Sequence, residues 1–151
     1  MRIRRAAKAA GVLGTAIASV LAMSGAAHAK TGPGYTEFCS TPLHKPGFAC
    51  FYSDGDKFTV TDNYADELRS VVKWKLGDRK KKGTSGYIIR TGECHNTKGA
   101  GKTVTCNYDF PEGKLGGTSR YLVHFTVVAQ DGAKGKPVYS AAGPIAYVSG
   151  R

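Results

Sequence analysis

The sequence predicts an all-β fold, a single β-sandwich of about seven strands held by two disulfide bonds. Short stretches of alternating apolar and polar residues recur along the chain, and glycine, proline and aspartate separate them. Outside the first 29 residues, no long segment shows the 3.6-residue period of an amphipathic helix. The four cysteines form an even set, which in an exported chain indicates two disulfides.

The N-terminal segment 1–29 has the pattern of a secretory signal peptide. Basic residues lie within the first eight positions, an uncharged stretch of small and apolar residues runs from Ala9 to Met23, and Ala27-His28-Ala29 offers a cleavage site. A membrane anchor is the alternative, but this apolar stretch is shorter than the roughly 20 residues that a spanning helix needs. We therefore expect cleavage after Ala29, secretion, and no membrane anchor in the remaining chain.

The exported part of the chain divides into a lead-in and one domain. Segment 30–47 is rich in glycine, proline and hydroxyl residues and is predicted to be irregular, whereas 48–151 is predicted to form the sandwich. The chain has 22 basic and 11 acidic residues, and only basic ones leave with the signal peptide, so the exported part stays basic. This charge favours anionic partners such as cell-wall polymers, acidic glycans or nucleic acid, although a solvated surface gives the same composition.

The clearest strands form a hairpin between Arg120 and Val148. Residues 121–129 alternate, with one face apolar throughout, and Asp131-Gly132 supplies a turn before a return strand at 136–139. In the strand predicted at 70–76, the single tryptophan, Trp74, lies on the apolar face and should point into the core. Further strands are predicted at 48–52, 57–61, 87–91 and 103–108.

Cys39, Cys50, Cys94 and Cys106 allow three disulfide pairings. We favour Cys39–Cys50 and Cys94–Cys106 because each closes a short loop, which in the loop-entropy model contributes roughly 2.5–3 kcal/mol. A zinc site is the alternative, but these spacings are far wider than the close pairs of zinc sites. Neither a metal nor a cofactor is predicted.

Two stretches in the C-terminal third carry a resemblance to a known fold. They are Gly117-Thr118-Ser119-Arg120-Tyr121 with the alternating strand that follows, and Ser140-Ala141-Ala142-Gly143-Pro144-Ile145. Together they resemble the last two strands of fibronectin type III domains, and Trp74 would correspond to the tryptophan of that fold's central strand. The resemblance implies an immunoglobulin-like sandwich, a fold that carries many functions.

A second resemblance rests on the segments around the cysteines, such as Ala49-Cys50-Phe51, Gly92-Glu93-Cys94-His95-Asn96 and Cys106-Asn107-Tyr108-Asp109. These segments are similar to those of small secreted four-cysteine proteins common in filamentous actinomycetes. That group has no assigned activity. The resemblance therefore implies secretion and a Cys94–Cys106 pair, and it transfers no catalytic residues.

The string Gly99-Ala100-Gly101-Lys102-Thr103 looks like the end of a nucleotide-binding P-loop. The pattern fails because Asn96 stands where the first glycine is required. It also needs a helix after Thr103, and the residues there predict a strand. We therefore expect no nucleotide partner.

The densest charge feature is a cluster of basic residues on and after the strand at 70–76. Its members, the candidate residues for binding a polyanion, are Lys73, Lys75, Arg79, Lys80, Lys81 and Lys82. Lys73 and Lys75 would share the outward face of their strand, so a continuous basic patch is geometrically reasonable. Such a patch binds polyanions by counterion release, and a solvated loop is the alternative.

Motifs for catalysis are not found in the sequence. The histidines of the exported part, His44, His95 and His124, have no metal-site spacing, and no serine lies in a nucleophile-elbow motif. We therefore expect a monomeric, secreted, non-enzymatic binding or envelope-associated protein whose partner is an extracellular polymer or protein. The alternatives are a protease inhibitor that presents Lys98 in the disulfide-closed loop 94–106, and a small hydrolase or toxin.

Overall fold

The computed structural model describes residues 37–41, 46–80 and 87–148, and the predicted signal peptide 1–29 lies outside them. Every regular element in these ranges is a strand, and none is a helix. The strands are β1 Glu37–Cys39, β2 Phe48–Tyr52, β3 Lys57–Thr61, β4 Arg69–Asp78, β5 Tyr87–His95, β6 Thr103–Asn107, β7 Lys114–Leu115, β8 Thr118–Ser119, β9 Tyr121–Gln130, β10 Pro137–Ala142 and β11 Ala146–Tyr147. The all-β prediction is confirmed, and each of the seven predicted strands is present.

The strands form two main antiparallel sheets. The smaller has the order β1-β2-β3-β6, and the larger has the order β10-β9-β4-β5, with β11 also pairing with β9. Strands β7 and β8 make a separate two-stranded ribbon. Strand β4 is central in the larger sheet, because it pairs with β9 along its whole length and with β5 on its other side.

Aromatic rings join the two sheets in one core. Phe58 of β3 meets Phe125 of β9 with ring centroids 5.4 Å apart, and Phe51 lies 4.9 Å from Phe58. Contacts of this length are typical of favourable aromatic pairs. The sheets therefore pack face to face around a shared apolar interior.

Trp74 is buried at one side of this core, as the alternation of its strand predicts. The indole is 2 % exposed and meets the rings of Tyr108 and Phe110 edge-on, each at 4.9 Å. Gly92 of β5 lies against it so closely that an added Cβ would stand 2.3 Å from the indole. Arg90 covers the indole from outside, with its guanidinium 5.7 Å from the ring centroid.

The structure confirms both predicted disulfides. Cys39–Cys50 links β1 to β2 within the smaller sheet, where the two residues lie directly opposite each other. Cys94–Cys106 links β5 to β6 and thereby ties the larger sheet to the smaller one.

Four short strands were not expected from the sequence. Strand β1 lies inside segment 30–47, which was predicted to be irregular, and it forms because it pairs with β2 beside the first disulfide. Strands β7, β8 and β11 contain two residues each, too few to show alternation. Strand β5 continues past the predicted end at Thr91 to His95, because it stays paired with β4.

Asp56 closes the turn between β2 and β3 and holds the segment that follows β6. Its backbone carbonyl accepts a hydrogen bond from the Tyr108 N–H, and its carboxylate Oδ2 accepts one from the Phe110 N–H, each at 2.9 Å. Burial raises the pKa of the Asp56 carboxyl, and the charges of Glu112 and Asp109 add to this, while the hydrogen bond from Phe110 acts in the opposite sense.

We expect Asp56→Asn to change how stability depends on pH. A raised folded-state pKa means that the folded protein holds the proton more tightly than the unfolded chain, whose aspartate pKa is about 3.9. The wild type should therefore lose stability as the pH rises from that value through the folded-state pKa, and Asp56→Asn should lack this loss. Urea unfolding over a pH series measures the difference. Asp54→Asn, in the same turn, is the matched control, and identical pH profiles for wild type and Asp56→Asn would contradict the assignment.

Candidate functional site

The face of the larger sheet that points away from the core, here called the outer face, carries polar residues at its centre. Strand alternation turns Trp74 into the core and both Lys73 and Lys75 outward, as the sequence predicts. Strand β9 places Thr126 opposite Lys73 and His124 opposite Lys75. Three cationic or titratable side chains therefore lie on adjacent positions of two neighbouring strands.

Strand β5 adds a second polar column on the other side of β4. Its register places Glu93 opposite Lys73 and Thr91 opposite Lys75. Directly opposed side chains on one face of a sheet have their Cβ atoms within about 4.5–5.5 Å of each other. The outer face therefore presents two rows of three polar residues, each row crossing β9, β4 and β5.

A groove of about 940 Å³, here called the sheet groove, crosses these rows. Its polar lining residues are Lys73, Lys75, Thr91, Glu93, His124 and Thr126. Ile88, Val128 and Ala142 add apolar surface to its lining. The charge cluster in the sequence singled out only the two lysines of this set. The other four could be found only by knowing which strands are neighbours and in which register they pair.

Glu93 is the negative charge of the sheet groove. One carboxylate oxygen lies 3.0 Å from Lys73 Nζ, and the other lies 2.9 Å from His95 Nε2. Burial raises the pKa of the Glu93 carboxyl, but the hydrogen bonds and charges of Lys73 and His95 outweigh it, so that the pKa lies below its ordinary value. Glu93 is thus held ionised between two basic groups.

Lys75 differs from Lys73, which forms an ion pair with Glu93. The Lys75 side chain is exposed and forms no ion pair with any residue in the described ranges. Its strand neighbours in the groove are the uncharged Thr91 and the imidazole of His124. Lys75 is therefore the cation best placed to meet an anionic ligand.

Arg79 is used in the structure rather than offered to a ligand. Its guanidinium donates hydrogen bonds to Thr118 Oγ1 at 2.6 Å and to the Ser119 carbonyl at 2.9 Å. Both acceptors belong to β8, so Arg79 fixes the β7–β8 ribbon against the end of β4.

The other predicted members of the basic cluster are Lys80, Lys81 and Lys82. Lys80 is exposed, and its backbone N–H donates to Asp78 Oδ1 at 3.0 Å. Lys81 and Lys82 lie outside the described residues. The structure therefore brings Lys73 and Lys75 together in the sheet groove, and the extension of the patch through Lys82 stays a prediction.

Asn96 anchors the disulfide-closed loop 94–106. This buried side chain donates from Nδ2 to the carbonyls of Val60 at 3.0 Å and Lys102 at 2.6 Å. Its Oδ1 accepts the Lys98 N–H at 2.9 Å. The strand predicted after this loop is present as β6, in the place where a P-loop has a helix.

Lys98, the predicted inhibitory residue, lies at a bend of this loop. The side chain is exposed, but the backbone turns at Lys98 and passes through left-handed conformations at Gly99 and Gly101, with φ of 79° and 70°. Peptides that bind by strand addition do so in an extended conformation. The geometry of the loop therefore does not favour the protease-inhibitor alternative, which stays a prediction.

A second cavity, of about 420 Å³, lies at one end of the sandwich among three loops. Two of its carboxylates are occupied by turn hydrogen bonds, because Asp62 accepts from the Tyr64 N–H and Asp66 accepts from the Leu68 N–H. Among the described residues, one group of three potential metal ligands is found, and it contains both sulfurs of the Cys39–Cys50 disulfide. A disulfide sulfur is not a thiolate ligand, so that group does not form a metal centre.

No known protein family, curated protein or solved structure matches this chain. Within the described residues, no helix has the length and apolar character needed to cross a membrane.

Proposed function

We propose that this chain is a secreted, non-enzymatic binding protein that holds an anionic extracellular polymer in the sheet groove. The observation that carries the proposal is the placement of Lys73 and Lys75 in one open groove of about 940 Å³, with Lys75 making no ion pair within the described ranges. Secretion is supported by the pattern of segment 1–29 and by two disulfides, which persist in oxidising compartments.

We also infer an immunoglobulin-like arrangement of the strands. In that fold the second strand pairs with the strand called E, and the third strand, C, pairs with F. If β2 is taken as the first strand, β3 is the second and pairs with β6, while β4 is the third and pairs with β9. Trp74 then lies on the third strand, the position of the buried tryptophan in many such domains.

The shape and charge of the groove suit a long, anionic ligand. It opens on a sheet face, so that a polymer can lie across several strands. Lys73 and Lys75 are two positions apart along β4, so their Cα atoms lie about 7 Å apart. Their ammonium groups are compact charges on flexible side chains. The whole chain has a formal charge of +11, and the part after Ala29 has 18 − 11 = +7, because Arg2, Arg4, Arg5 and Lys8 leave with the signal peptide. This net positive charge attracts polyanions over longer distances.

The groove supports binding better than catalysis. All four cysteines are in disulfides, so none is a thiol nucleophile. The carboxylate of Glu93 is hydrogen-bonded to Lys73 and His95, which holds it as a counter-charge. The threonine hydroxyls, Lys75 and His124 then remain as hydrogen-bonding groups for a ligand.

We expect Lys75→Glu to weaken polyanion binding strongly. A basic residue near an anionic surface contributes on the order of 1 kcal/mol, so reversing one charge should reduce binding on the order of tenfold. Cosedimentation of the purified protein with cell-wall material, chitin and cellulose, at low and high salt, measures this. We expect the wild type to pellet with the anionic material at low salt only, because counterion release makes such binding salt-dependent.

Lys98→Glu is the matched control, because it makes the same charge change at an exposed site in the loop 94–106. Its binding should stay near that of the wild type. Equal losses in both variants would mean that net charge alone governs the interaction, and pelleting that persists at high salt would mean that charge does not govern it. Either result would overturn the assignment to the sheet groove.

A further inference from the structure

One histidine, His124, lines the sheet groove, and a second, His95, contacts Glu93 of its lining. His95 Nε2 is 2.9 Å from Glu93 Oε2, and the other oxygen of that carboxylate is 3.0 Å from Lys73 Nζ. His124 lies directly opposite Lys75 on the neighbouring strand. Protonation of His124 therefore adds charge in the groove, and protonation of His95 adds charge directly beside it.

The charge of the groove depends strongly on these two imidazoles. With both neutral, Lys73 and Lys75 against Glu93 leave one net positive charge. With both protonated, these three residues and the two imidazoles together carry three net positive charges. Histidine is the side chain that ordinarily changes charge between about pH 5 and 8.

Other charged groups face the two histidines from the packed strands. Strand β4 contributes Lys73, Lys75 and, next to Val71 on the same face, Arg69, while β5 contributes Glu93. On this face β9 and β10 contribute uncharged residues such as Thr126 and Ala142. Lys73, Lys75 and Arg69 have the same charge as a protonated imidazole, whereas the Glu93 carboxylate has the opposite charge and contacts His95.

A ligand anion would add to the effect of Glu93. His124 Nε2 is buried and has no hydrogen-bond partner among the described residues. His124 also lines the groove, so a positive charge on its imidazole attracts an anionic ligand there. Binding and protonation then support each other, as linked equilibria must.

We propose that mild acidification raises the affinity of the sheet groove for anionic polymers, because His95 and His124 become protonated. Glu93 is the counter-charge of the protonated His95. The inference rests on the proposed function, because it concerns the same groove. The affinity for the polymer is then higher in acidified surroundings, and the protein releases the polymer more readily near neutral pH.

The test uses dextran sulfate, because its sulfate groups stay ionised across the pH range and any pH dependence then arises from the protein. Affinity is measured at several salt concentrations at about pH 5.5 and about pH 7.5, on either side of the ordinary titration of histidine. We expect wild-type affinity to rise on the order of tenfold at the lower pH, with a steeper salt dependence, since more cations then take part. In His95→Gln/His124→Gln the ratio of the two affinities should fall close to one.

Glu93→Gln provides an independent variant, because it removes the counter-charge and should tighten binding at the higher pH. Thermal unfolding of each variant at both pH values checks that the fold is kept. If the wild type does not bind at either pH, the proposed function fails and the inference fails with it. If the wild type binds equally at both pH values, or the double glutamine variant keeps the pH response, the inference alone is overturned.

Discussion

Replacement of Trp74 with alanine is expected to lower the free energy of unfolding by about 3–5 kcal/mol, as for other buried tryptophan and phenylalanine side chains. The indole is 2 % exposed and meets Tyr108 and Phe110 edge-on, so its removal leaves a cavity between β4 and the segment after β6. Urea unfolding followed by far-ultraviolet circular dichroism measures the change. Tryptophan fluorescence cannot follow the unfolding of this variant, because Trp74 is the only tryptophan of the chain.

Two further variants distinguish this packing from a general effect of losing an aromatic ring. Tyr147→Ala removes a ring that is 46 % exposed and should cost much less. Gly92→Ala should destabilise the wild type, because the new Cβ would lie 2.3 Å from the indole, and should cost less when Trp74 is already alanine. If the cost of Gly92→Ala were the same in both backgrounds, the close approach of Gly92 to Trp74 would not be what limits that position.

Replacement of both Cys94 and Cys106 with alanine is expected to cost about 2–5 kcal/mol, the range found when a native disulfide is removed from a small secreted domain. The two cysteines are separated by 12 residues, and the loop-entropy model gives about 3 kcal/mol for a loop of this length. This disulfide joins the two sheets, so its loss should also loosen the contact between β5 and β6. Urea unfolding under oxidising conditions measures the cost.

The Cys39→Ala/Cys50→Ala variant is the natural comparison, because that disulfide closes a loop of similar length within one sheet. Hydrogen exchange should separate the two cases. We expect faster exchange in β5 and β6 when Cys94 and Cys106 are replaced, and faster exchange limited to β1 and β2 when Cys39 and Cys50 are replaced. The opposite pattern would contradict the roles assigned to the two disulfides.

Features that depend on local patterns were predictable from the sequence. Alternation over residues 121–129 and 70–76 predicted β9 and β4, and the inward position of Trp74, because the side-chain period of a strand is a local property. Short loops between cysteines predicted both disulfides, because a short loop closes at a low entropic cost. Strands of two or three residues, such as β1 and β11, depend on their partners and give no local signal.

The candidate site could be predicted only in part, because it depends on neighbours that are distant in sequence. Lys73 and Lys75 share a strand, so alternation placed them on one face. The pairing of Lys73 with Glu93, and the position of His124 opposite Lys75, depend on the registers of β4 with β5 and with β9. Arg79 belonged to the same charge cluster, but Thr118 and Ser119 engage its guanidinium, and no local pattern predicts that contact.

The register irregularities at the two sides of the larger sheet have a consequence for self-association. Both edge strands carry one extra residue, Ile89 in β5 and Val138 in β10, and β10 begins with Pro137, which has no backbone N–H to donate. Bulges and edge prolines interrupt the regular row of donors and acceptors that a strand from another molecule would need. Although Ile89 and Val138 are 38 % and 58 % exposed, the backbone beside them is a poor template for sheet growth between molecules. Edge-to-edge pairing of two copies through the larger sheet is thereby disfavoured.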